Sequence, residues 1–124
     1  MLKQIVIFLF AALVAGLPVR APEAAELVMV EEMGCIYCER WDAEISEIYP
    51  KTPEGQAAPL VRVLKGSSGL DAFVLNRPVI FTPTFILVED GRELARIEGY
   101  PGEDFFWGLL GMILERHTGF KAAS

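Results

Sequence analysis

The chain has 124 residues, a formal net charge of −6 and 52% hydrophobic residues, enough for one domain and no more. Much of the apolar content lies in the first 25 residues; beyond them 9 Lys and Arg face 16 Asp and Glu, a net charge of −7 with no basic cluster. An acidic body of this kind argues against nucleic acid or an anionic membrane surface as partner.

Residues 1–25 read as an export signal, with residues 26–124 as the domain. Lys3 precedes an unbroken apolar run from Ile5 to Gly16. That run is shorter than the ~20 residues of a comfortable membrane span and suits a signal-peptide core. The small, proline-broken stretch from Gly16 to Ala25 follows. Cleavage is expected near Ala25, although neither Glu23-Ala24-Ala25 nor Val19-Arg20-Ala21 is a clean small-x-small site. An uncleaved anchor or a buried N-terminal helix would fit the same run. Export would place the domain where a disulfide can persist.

Leu27 to Val30 reads as a buried strand. From Cys38 onward Trp41, Ile45, Ile48 and Tyr49 recur at helical spacing, with acidic residues between them. Pro50 cannot continue that helix, and Thr52-Pro53-Glu54-Gly55 reads as a loop. Leu60 to Leu64 is a second strand, broken by Gly66-Ser67-Ser68-Gly69; Leu70 to Leu75 leaves room for one short helix before Pro78. Thr84 to Val88 is the third strand. Asp90-Gly91 suits a two-residue hairpin turn into a fourth, Glu93 to Glu98. A final helix should run from Glu103 or Asp104 to about Arg116, with Phe106, Leu109, Leu110 and Ile113 facing the core. Two strands joined through a helix favour a parallel pair, and the hairpin must be antiparallel. The fold class that satisfies both is an α/β three-layer sandwich, a mixed four-stranded sheet with helices on both faces and a short second helix.

The two cysteines of the chain form Cys35-Ile36-Tyr37-Cys38, between the first strand and the first helix. Disulfide exchange needs an exposed sulfur that ionises near neutral pH and a second thiol able to expel it from a mixed disulfide. A helix start supplies both: unpaired N–H groups and the positive dipole end favour a thiolate on the first sulfur, and the second lies a turn inward. Cys35 is therefore the expected nucleophile, with a pKa below the free value of about 8.5, and Cys38 the resolving thiol. Glu31 and Glu32 lie just upstream and would oppose a thiolate if they pointed toward it. The expected depression is moderate, fitting a reductant or balanced exchanger more than a strong oxidant.

Other readings of the pair are weaker. A zinc site needs about four ligands, and only remote His117 could join the two thiolates; no metal is assigned. A structural disulfide closing so small a loop would constrain the unfolded chain little. Copper(I) carriage by the two thiolates, with Met33, is chemically reasonable. His117 itself fits the negative end of the last helix.

With Cys35-Ile36-Tyr37-Cys38 after the first strand and Thr82-Pro83-Thr84 before the third, the sequence resembles the thioredoxin superfamily from Glu26 to Thr118. The resemblance implies a cis-proline at Pro83 and a backbone contact to substrate at Thr82, with Ile36 and Tyr37 completing the substrate-binding surface. Cys38-Glu39-Arg40-Trp41, Phe81-Thr82-Pro83-Thr84-Phe85 and the stretch from Gly99 to Trp107 look like the exported SoxS-type thioredoxins of bacterial sulfur-oxidation clusters. That narrower likeness implies a periplasmic, monomeric thiol–disulfide oxidoreductase without cofactor. It would keep a thiol-bearing carrier protein reduced and be recharged by a membrane or periplasmic electron donor. A disulfide oxidase or isomerase is the enzymatic alternative. The chain departs from the wider family at Gly34 (usually tryptophan), at Ile36-Tyr37 (usually glycine-proline) and at Met29 (a buried aspartate in ordinary thioredoxins). The proton acceptor for Cys38 is thus open, with Glu31 and Glu32 the nearest acids in sequence.

Overall fold

The sheet is built around β1 (Glu26–Glu31), whose four central residues are all buried. In the computed structural model, which describes residues 15–17 and 25–122, β1 pairs in parallel with β2 (Leu60–Leu64) and antiparallel with β3 (Thr84–Glu89). β3 pairs antiparallel with β4 (Arg92–Glu98), giving the order β2-β1-β3-β4. The proposed signal lies almost wholly outside the described residues. Asp90 and Gly91 form the expected two-residue turn, both with positive φ (53° and 72°), the conformation for which Asp-Gly is suited.

One face of the sheet carries the helices. α1 (Ile36–Trp41) runs on through a π-helical turn, Asp42–Ser46. α3 (Glu103–His117) packs beside it, with acids in its first turn and Arg116 and His117 in its last, as the helix dipole favours. Leu27, Met29, Trp41, Ile45, Phe85, Phe106 and Leu110 meet in this core. Trp41 lies at its centre, 5.3 Å from the Phe85 ring and 5.9 Å from Phe106. Phe106 is in the core, Phe105 is exposed, and Trp107 is half-buried with its ring stacked on Tyr49.

The opposite face holds a smaller core of Val28, Val30, Val63, Ile86 and Val88. Its cover is thin: a 3-10 turn, Ser68–Ala72, then an extended ribbon through Phe73 and Leu75 to Val79. The expected short helix thus sits slightly earlier than Leu70 to Leu75, because Ser67 caps it by accepting from the Gly69 N–H at 3.3 Å. Val74 then bridges to Arg92 at the edge of β4.

Two expectations need correction. Thr52 to Gly55 is no loop: the Thr52 hydroxyl accepts from the Gly55 N–H at 3.0 Å and opens α2 (Pro53–Ala57), with Pro53 at a position that needs no N–H. Ile48 is exposed although it belonged to the apolar stripe. The wider π turn keeps Trp41, Ile45 and Tyr49, four residues apart, on the core side and rotates Ile48 outward.

Candidate active site

β1 ends at Glu31, and Gly34, at φ 72°, turns the chain so that Cys35 enters in an extended conformation as the N-cap of α1. A residue with φ in this region is usually glycine, which accounts for its presence before the dithiol. Cys35 and Cys38 are joined as a disulfide, their Cα atoms 5.2 Å apart. The Cys38 N–H donates to Cys35 Sγ at 3.2 Å, and the Glu39 N–H to the Cys35 carbonyl at 3.0 Å. Cys35 is half-buried, whereas Cys38 is 3% exposed and belongs to the core under the helix. The first cysteine is therefore partly open to solvent, with a backbone donor on its sulfur, and the second is buried behind it.

Beside the dithiol, the Thr82–Pro83 peptide bond is cis. The turn holding it is tied to its surroundings: the Pro83 carbonyl accepts from the Gly99 N–H at 2.7 Å, and the Thr84 hydroxyl donates to the Phe81 carbonyl at 2.6 Å. A groove of about 300 Å³ brings together Glu32, Gly34, Cys35, Ile36, Tyr37 and Thr82. A second, of about 360 Å³, lies between Tyr37 and the segment Phe81-Thr82. The structure thus gathers Cys35, Ile36, Tyr37 and Thr82 on one surface, with Pro83 buried immediately behind Thr82. Met33, Ile36, Tyr37, Ile80 and Phe81 are all exposed. Apolar surface grouped around a reactive centre marks a place where another molecule binds.

The charges around the site are already engaged. Glu31 accepts from Arg62 Nε at 2.5 Å and Nη2 at 3.0 Å, and Arg62 also donates to Asp42 at 2.9 Å. Glu32 accepts from the Thr82 hydroxyl at 3.0 Å and lies 3.7 Å from Lys65. Each carboxylate expected to disfavour a Cys35 thiolate thus has a cation of its own. The Arg40 guanidinium stands 5.6 Å from the Tyr37 ring centre. Tyr100 donates to Glu44 at 2.5 Å, tying the turn after β4 to the π-helical stretch; burial, reinforced by Glu44, raises its phenol above the ordinary range. Neither partnership is legible in the sequence, although Tyr100 lies in the Gly99–Trp107 stretch, since Arg62 and Tyr100 find their partners across long chain separations. Among the described residues, no three His, Cys, Asp or Glu side chains gather where they could hold a metal ion.

The architecture has clear counterparts among solved structures. The periplasmic thioredoxin SoxS from Paracoccus pantotrophus, in its reduced form, is 49% identical, covers 74% of this chain and 97% of its own, and superposes with a TM-score of 0.72. The chain belongs to the thioredoxin superfamily, with SoxS. Trxlp from Edwardsiella tarda (22% identity, 71% of this chain and 82% of its own, TM-score 0.52) shares the fold. So does Fasciola hepatica thioredoxin (18%, 78% and 84%, TM-score 0.53). No protein-family model and no curated protein matches the chain. As a thioredoxin with a Cys-x-x-Cys disulfide, the protein is a thiol–disulfide oxidoreductase. Met29 is fully buried in the apolar core, and the cover over the second sheet face is a turn and a ribbon.

Proposed function

We propose that this thioredoxin is an exported reductase that restores the thiols of a partner protein, with Cys35 as nucleophile and Cys38 as resolving thiol. The observation that carries the assignment is the asymmetry of the pair: Cys35 reaches solvent and takes a backbone N–H, while Cys38 is buried behind it. In the reduced protein the Cys35 thiolate attacks one sulfur of the partner disulfide, forming a mixed disulfide and releasing a partner thiolate. The Cys38 thiolate then attacks Cys35 Sγ, frees the second partner thiol and leaves the Cys35–Cys38 disulfide. The partner gains two electrons, and an upstream membrane or periplasmic dithiol returns them to the pair.

Ile36, Tyr37, Thr82 and Pro83 form the substrate surface in this reading, with the Thr82 backbone laid alongside the partner chain. Exposed Met33, Ile80 and Phe81 extend it and favour a protein over a small thiol. Likeness to a periplasmic SoxS supports export by residues 1–25, and the resemblance to SoxS-type thioredoxins points to a thiol-bearing carrier of sulfur oxidation as partner. The test is to replace Cys38 with serine in the exported protein and isolate what remains attached. A mixed disulfide through Cys35, released by dithiothreitol, is expected. Trapping by Cys35→Ser instead would reverse the two roles, and no trapping by either would refute the reductase reading.

A further inference from the structure

β4 contains one residue too many for its ladder. Leu87 pairs with Ala95 and the next residue, Val88, with Glu93, so Leu94 is an insertion. In a regular strand residues three apart point to opposite faces. The bulge moves Glu93 onto the same face as Arg96 and Glu98, the face covered by the Ser68–Ala72 turn and the ribbon after it. There the two side chains are almost fully buried (1% and 3% exposed) and joined through Arg96 Nε at 2.7 Å and Nη2 at 2.6 Å.

Arg96 also lies 3.8 Å from Glu98, and beyond these charges the pair holds main chain. Glu93 accepts from the Asn76 N–H at 3.0 Å; Arg96 donates to the Arg77 carbonyl at 2.8 Å and the Pro78 carbonyl at 3.3 Å. Arg77 in turn pairs with Glu98 at 2.8 Å. From Pro78 the chain makes one core contact, Val79, before exposed Ile80 and Phe81 and the cis Thr82–Pro83 bond. The far end of this turn is held at Pro83 by Gly99, the residue after β4. Both ends of the turn are therefore fastened to β4 or its immediate end. Replacing a buried ion pair by apolar residues is often neutral for stability, so what distinguishes this pair is the main chain it holds.

We propose that Glu93 and Arg96 are positioning residues for substrate: they hold Asn76–Pro78 so that Ile80–Thr82 presents a fixed edge to a bound polypeptide. This rests on reading the cis-proline turn as the substrate edge. The test compares the wild type with Glu93→Leu/Arg96→Met, which removes the main-chain tethers without stranding a charge, and with the conservative Arg96→Lys. Two probes are used: a fluorogenic disulfide joining two short peptides, and hydroxyethyl disulfide, which has no chain to lie along Ile80 and Phe81. For the double variant the peptide KM should rise about five- to tenfold with kcat within about twofold. The rate with hydroxyethyl disulfide and the reduction potential of the pair should stay at wild-type values, while amide exchange at 76–82 quickens. Arg96→Lys should raise the peptide KM about threefold, and it carries the test if the double variant does not fold. A folded variant whose peptide KM is unchanged overturns the proposal, as does parallel loss of both reactions, which would mark a purely structural role. Failure of the wild type on both probes would refute the reductase reading itself, and this inference with it.

Discussion

Replacing Trp41 with alanine should be among the most damaging single changes in this protein, and the structure sets its size. The side chain is fully buried and borders Tyr49, Phe85 and Phe106, joining the end of α1 to β3 and α3. An aromatic of this kind buries ~150–250 Å², which at ~25 cal/mol per Å² is about 4–6 kcal/mol. Alanine keeps only a methyl, and incomplete collapse leaves a cavity, so the expected loss is about 3–5 kcal/mol. Against a total of ~5–15 kcal/mol for a domain of this length, that consumes much of the stability. Urea unfolding of the oxidised protein, followed by far-UV circular dichroism, should show a lower midpoint at unchanged slope. The melting temperature should fall by about 15–30 °C. Trp107→Ala is the internal control: half-buried, stacked on Tyr49 and edge-on to Phe106, it should cost less than Trp41→Ala, about 1–2 kcal/mol. Trp41→Phe should lose less than half of the alanine value, because Trp41 Nε1 finds no acceptor among the described residues and the substitution leaves none stranded. A Trp41→Ala loss below about 1.5 kcal/mol, or one no larger than that of Trp107→Ala, would refute this account of the core.

Three further outcomes follow from single interactions. Tyr49→Phe removes the hydroxyl that donates to the buried Ala58 carbonyl at 2.6 Å and should cost about 1–3 kcal/mol in the same unfolding assay. Gly55→Ala should destabilise by about 1–3 kcal/mol, since a Cβ there collides with the Tyr49 carbonyl, which is backbone and cannot swing aside. The Glu93 carboxyl is driven upward by burial, but hydrogen bonds from Arg96 and the Asn76 N–H, with the Arg96 and Arg77 charges, outweigh this and leave its pKa below the ordinary value. A lowered folded pKa gives stability that is present above the unfolded value of about 4.3 and is lost as pH falls through the folded one. Unfolding free energy measured from pH 6 down to about pH 3 should therefore fall less steeply in Glu93→Gln than in the wild type. Equal slopes would show that the carboxylate contributes nothing to acid sensitivity.

The features legible from sequence are those written in neighbouring residues. Cys35 and Cys38 declare themselves by spacing, Asp90-Gly91 by turn chemistry, and β1 and β3 by apolar runs bounded by breakers. Thr52-Pro53 reads as a loop because a capping threonine followed by proline uses the same residues as one; only the Thr52–Gly55 hydrogen bond separates the two. The π turn was hidden for a related reason. Trp41, Ile45 and Tyr49 fit either helical period, and only the exposure of Ile48 reveals which was adopted. The clamp on β4 was out of reach. Arg92-Glu93-Leu94-Ala95-Arg96 reads as an irregular polar strand, and the bulge that turns Glu93 and Arg96 inward is defined by pairing with Leu87 and Val88. Around the dithiol, Glu31 and Glu32 looked like acids set against a thiolate, because Arg62 and Lys65 reach them only through the parallel pairing of β1 with β2.

The bridge between Val74 and Arg92 also bears on self-association. A sheet margin with free N–H and C=O groups invites a strand from a neighbouring molecule. Along the start of β4 those groups are already taken: the Val74 N–H donates to the Gly91 carbonyl at 2.8 Å and the Glu93 N–H to the Val74 carbonyl at 3.0 Å. Intermolecular zipping at the start of that margin is thereby opposed by the chain's own ribbon, and β2, five residues long and carrying Arg62 at its middle, is left as the opposite margin.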